Sequence, residues 1–84
     1  MTAPLRVTVL DAWDAIPLVP GPGETIAGLK RRALEAARVV ESPAAFVVKH
    51  LGATIRDEQQ TPAALGIPDG AGLIVLRARR TAVR

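Results

Sequence analysis

The stretch Gly21-Pro-Gly-Glu-Thr-Ile-Ala-Gly-Leu-Lys30 sets four residues between Gly23 and Gly28 with a lysine close behind, the outline of a loop that cradles phosphate. Such a loop needs Gly-Lys-Ser/Thr in succession, so that backbone amides, an ammonium and a magnesium-binding hydroxyl converge. Here Leu29 separates Gly28 from Lys30, and Arg31 stands where the hydroxyl belongs. His50 is the only histidine, and with no cysteine and no carboxylate at helical or strand spacing it makes neither a metal site nor a triad. Asp57-Glu58 is a carboxylate pair in a polar stretch, where no burial is expected to raise a pKa for acid catalysis. What remains is positive charge. Lys30, Arg31, Arg32, Arg77, Arg79, Arg80 and Arg84 are seven of the eleven basic residues, set against eight acidic ones.

These side chains must be held by a small scaffold. Eighty-four residues make one domain, and folding at this size hides only about 60 to 65% of the chain's surface. That leaves no cleft between domains for a substrate, so the chain is read as a non-enzyme without cofactor. Hydrophobic residues are 49% of the chain, but Trp13 and Phe46 are the only aromatics, so Leu, Ile, Val and Ala must build the core. Stacking platforms for bases are missing as well, which argues against nucleic acid as partner. No apolar run approaches the ~20 residues of a membrane span, and the expected compartment is the cytoplasm.

Leu5, Val7 and Val9 alternate with Arg6 and Thr8, the period of a half-buried strand over residues 5–10. A turn is expected around Asp11-Ala-Trp-Asp14. Residues 15–20 read as a second strand with Ile16 and Leu18 on one face, and Pro17 assigns it to a sheet edge. Thr25 is placed to cap a helix running from Ile26 to about Val39. Its apolar side is predicted at Ile26, Leu29, Ala33, Ala36, Ala37 and Val40, with Lys30, Arg31, Glu35 and Arg38 away from the centre. Gly28 is read as a close-packing point against the sheet, and Ser42-Pro43 as the stop. Residues 44–52 form a third strand with Phe46 and Val48 inward. A short strand and turn follow over 53–60, then a one-turn helix with Thr61 as cap, Pro62 first and Gly66 as stop. Pro68-Asp69-Gly70 is a turn, and Leu73-Ile-Val-Leu76 is an apolar last strand suited to the sheet centre beside the first. The order predicts an α+β roll: a mixed sheet of four to five strands on one main helix, spanning residues 1–80, with 81–84 as a short basic tail.

That order resembles the ubiquitin-like β-grasp family. Thr25-Ile26 after a proline-rich approach, the half from Phe46 to Arg77, and above all Thr61-Pro-Ala-Ala-Leu-Gly-Ile-Pro-Asp-Gly-Ala-Gly-Leu-Ile-Val-Leu-Arg77 carry the resemblance. Residues 65–76 look most like the bacterial ubiquitin-like domains of type VII secretion, both the small YukD-like proteins and the cytoplasmic domain of the actinobacterial membrane component.

The resemblance implies two kinds of activity. Modifiers of this fold are adenylated at a terminal Gly-Gly, and here that pair would fall on Arg80-Thr81 or Thr81-Ala82. Neither position is glycine, the final residue is Arg84, and the last glycine is Gly72. The implied role is therefore a non-catalytic interaction module or accessory of a bacterial multiprotein machine of the secretion type. The alternatives are a covalent modifier with an atypical C-terminus and a small subunit of a multicomponent enzyme. Partners of the family meet an apolar patch on the open sheet face. Lys49 takes the central isoleucine's place there, flanked by His50 and Arg77, with Arg79 and Arg6 as further candidates, so positive charge is expected to replace the patch. Its complement would be an acidic protein surface first and an anionic membrane surface second.

Overall fold

The computed structural model describes residues 4–10 and 15–78. The turn expected at 11–14 and the tail candidates Arg79, Arg80, Thr81, Ala82 and Arg84 lie outside them.

Five strands and one helix follow the chain as β1 (Leu5–Val9), β2 (Ile16–Leu18), α1 (Ile26–Ala36), β3 (Phe46–His50), β4 (Ala53–Thr54) and β5 (Gly72–Arg77), with a short 3₁₀ helix at Pro43–Ala45. The sheet order is β2-β1-β5-β3-β4. β5 is central and parallel to β1, while β2, β3 and β4 run antiparallel to their neighbours. Helix α1 covers one face.

Alternation explains the core. Leu5, Val7 and Val9 from β1, Phe46 and Val48 from β3, and Leu73 and Val75 from β5 turn toward α1 and are buried. Pro17 lies on the edge strand β2, where a missing N–H costs the sheet least. Thr25 caps α1 as expected, its hydroxyl accepting from the Gly28 amide. The Ile26 and Ala27 amides donate to the carbonyls of Gln60 and Glu58, so the loop after β4 satisfies two further donors of the first turn.

The helix differs from the expectation in its end and its buried side. It stops at Ala36 in a Schellman turn: the Val39 amide donates to the Leu34 carbonyl and the Arg38 amide to the Glu35 carbonyl. Arg38 takes the left-handed conformation (φ +61°) at the position where glycine usually announces the stop. The buried side is Ile26, Leu29, Lys30, Ala33 and Leu34, whereas Ala36 and Ala37 are exposed and Val40 is 98% exposed. Lys30 is thus inside. Gly28 packs against Glu24 rather than the sheet, since a Cβ there would meet Glu24 Cγ and Oε2 at 3.2 Å.

Glu24 needs that space. Its carboxylate accepts from Arg32 Nε at 2.9 Å and Nη2 at 2.6 Å and from the Gly21 amide at 2.8 Å, while Arg32 also donates to the Val19 carbonyl at 2.8 Å. The hydrogen bonds from Arg32 hold the Glu24 carboxyl below the usual carboxylate range, against a smaller opposing effect of burial. This fork ties the β2–α1 connection to the helix.

The segment after Thr61 is a hydrogen-bonded turn in place of a regular helix, with the Thr61 hydroxyl accepting from the Ala64 amide and Gly66 at φ +74°. Pro68-Asp69-Gly70-Ala71 closes as a turn through the Ala71 amide and the Pro68 carbonyl at 3.2 Å.

Candidate interaction surface

The face of the sheet away from α1 is built by the residues alternating with the core. In register, Thr8 on β1 neighbours Ile74 on β5, Ile74 neighbours Lys49 on β3, and Lys49 neighbours Thr54 on β4. One row to one side, Arg6 opposes Gly72 on β5 and Pro17 on β2; one row to the other, Leu76 opposes Val47. Ile74 is 43% exposed, and Val47, Leu76 and Lys49 are half-buried. A recess of about 540 Å³ opens between Val47, Lys49, Thr54, Leu76, Arg77 and Ala78. Among the described residues this face carries Arg6 and Lys49 and no carboxylate.

Positive charge therefore does not replace the apolar patch. Lys49 and Arg6 border three apolar side chains, Val47, Ile74 and Leu76. Across β5, Arg6 and Lys49 sit roughly 10 Å apart in the hydrogen-bonding direction, close enough for one partner to meet both.

The other candidates belong to the helix side, Arg77 reaching only the rim of the recess. Arg77 has the strand parity of Leu73 and Val75, so its side chain lies toward the helix side at the end of β5. Its guanidinium carbon stands 5.4 Å from the centroid of the Phe46 ring, and it pairs with Glu41. That hydrogen bond holds the Glu41 carboxyl below its ordinary range and raises the Arg77 guanidinium above its own. Arg77 therefore clasps the end of β5 to the connection after α1. His50 shares the parity of Phe46 and Val48 and faces the helix side beside a cleft formed with Ile55, Leu65 and Ile67.

Lys30, Asp57 and Glu58 have structural partners. Lys30 Nζ donates to Glu58 Oε1 at 2.6 Å and to the Phe46 carbonyl at 2.9 Å, with the lysine side chain 6% and the glutamate 20% exposed. It offers nothing to a phosphate. Glu58 is half-buried rather than free in a polar turn, while Asp57 accepts from the Gln59 amide and the Gln60 side-chain amide, each at 3.1 Å. Among the described residues no three potential metal-ligating side chains gather.

No family model matches the chain, and no curated protein sequence matches it. Among solved structures, the ubiquitin of Caldiarchaeum subterraneum is similar, with a TM-score of 0.75 over 98% of this chain and 100% of that one, at 12% identity. The chain has the ubiquitin-like β-grasp fold. At that identity the likeness concerns architecture, since one scaffold hosts many functions.

The apolar residues of this face that sequence reasoning missed are Val47, Ile74 and Leu76. The signal was available, because on either side of a strand register the positions between Phe46, Val48, Leu73 and Val75 must face away from the helix.

Proposed function

We propose that this protein is a non-catalytic, cytoplasmic interaction module that binds an acidic protein surface through the outer face of its sheet. Within that reading it is an accessory of a bacterial multiprotein machine of the secretion type, as the likeness of residues 65–76 to such domains implies. One observation carries the binding surface: Val47, Ile74 and Leu76 lie together with Lys49 and Arg6, and no described residue of that face is acidic. An apolar centre supplies the affinity of a small interface and the cations select a partner of opposite sign. No helix among the described residues is long and apolar enough to cross a membrane.

Purification of a tagged copy from its native host under native conditions tests this, comparing the parent with Ile74→Asp, Lys49→Glu and Arg31→Glu. Arg31→Glu is a surface change, expected to stay within about 0.5 kcal/mol of the parent in stability, and urea midpoints of the two sheet variants confirm that each is folded under the conditions of the purification. A partner whose contact segment is acidic should be retained by the parent and by Arg31→Glu, whose position is exposed on α1, and lost by the other two. Equal recovery with Ile74→Asp and Lys49→Glu would reject the outer face.

A further inference from the structure

The two-residue link between β3 and β4 joins His50 to Ala53, which are opposed in the sheet. Both linking residues are left-handed, Leu51 at φ +53° and Gly52 at φ +82°. Tight hairpins need that backbone to match the twist of their strands, and Asn, Asp or Gly normally supplies it. Leucine at the first position is unfavourable, because its Cβ crowds the following carbonyl. It is also 90% exposed. Two unfavourable features therefore meet in one side chain, although a small polar residue would relieve both.

The surroundings point to what the side chain meets. By the register of β3 and β5, Leu51 stands at the level of Gly72, and Gly72 opposes Arg6. Lys49 lies two residues before the tip on the cationic outer face, and Ile74 beside it is 43% exposed. At a rise of about 3.3 Å per residue, Lys49 lies roughly 7 Å behind Leu51. That matches the depth of about 5 to 10 Å at which apolar groups of interfacial proteins sit below the headgroups. A convex tip needs no complementary pocket if its partner is deformable, and a cation set one layer behind an apolar point suits a phase with anionic groups over hydrocarbon.

We propose that the β3–β4 tip is a contact for anionic lipid surfaces, with Leu51 entering the headgroup boundary and Lys49 held against the phosphates. The lysine stem lies along apolar surface while its ammonium stays in the charged layer. This contact shares Lys49 with the protein surface proposed above, and Leu51 belongs to the lipid contact alone.

The test is co-sedimentation of the full chain with vesicles of phosphatidylcholine alone or with about a third phosphatidylserine. The parent should sediment with the anionic vesicles, not with the neutral ones, and less so as salt rises. Leu51→Gly accepts the turn without strain, so its urea midpoint should lie at or above the parent's while its vesicle affinity falls about tenfold or more. Lys49→Gln should weaken binding about fivefold. Failure of the parent to bind anionic vesicles would overturn the proposal and leave a protein contact at the tip. Unchanged vesicle binding by Leu51→Gly would also overturn it, as would equal binding to neutral vesicles.

Discussion

Replacing Lys30 with methionine should be among the most costly single changes away from the aliphatic core. The ammonium meets Glu58 Oε1 at 2.6 Å and the Phe46 carbonyl at 2.9 Å, and both groups lose their partner together. Breaking a buried pair from one side costs about 3 to 5 kcal/mol, because the remaining charge is stranded. Glu58 is 20% exposed and regains some hydration, so about 2 to 4 kcal/mol is expected for Lys30→Met. Against a total of roughly 4 to 12 kcal/mol for a domain of this length, that is a large share. Urea denaturation followed by far-ultraviolet circular dichroism gives the shift, and at about 1 kcal/mol per molar urea the midpoint should fall by roughly 2 to 4 M. The double change Lys30→Met with Glu58→Met should recover part of the loss, because no carboxylate is left behind. A midpoint for Lys30→Met within about 0.5 M of the parent would refute the reasoning. So would a double variant no more stable than the single one.

Two further expectations concern the Glu24 fork. Gly28→Ala, in the first turn of α1, should fail to yield the gain of up to about 1 kcal/mol that alanine gives over glycine in a helix, because its Cβ lies 3.2 Å from Glu24, but should yield it in a Glu24→Ala background; equal effects in both backgrounds, read from urea midpoints, would show that Glu24 does not oppose the substitution. Because the folded Glu24 carboxyl lies below its ordinary range, its stabilisation is present above the unfolded carboxylate pKa and is lost as pH falls through the folded value. Glu24→Gln should therefore be less stable than the parent at pH 7 and approach it in acid, and a deficit independent of pH would contradict that assignment.

Local signals and strand alternation made most of the architecture legible. Thr25 caps its helix through a bond three residues away, Pro17 marks the edge, and the apolar run 73–76 reads as the central strand without knowledge of its neighbours. The misreadings arose where distant groups decide. Lys30 sits in a basic run, and only Glu58 and the Phe46 carbonyl, brought near by folding, make its burial tolerable. Helix α1 ends early because Arg38 adopts a left-handed backbone that its side chain does not announce. For the candidate surface, Lys49 and Arg6 were found as cations, but strand parity rather than charge separates Arg77 and His50 from them and adds Val47, Ile74 and Leu76.

The proposed function requires that the protein act by non-covalent contact. The most direct test is the intact mass of an N-terminally tagged copy recovered from its native host under denaturing conditions. A single species of the mass of the unmodified chain is predicted, with any partner seen under native conditions gone. A higher-mass adduct held by an isopeptide bond, or a defined truncation within Arg77-Ala-Arg-Arg-Thr-Ala-Val-Arg84, would contradict it and identify the tail as a processed, reactive end.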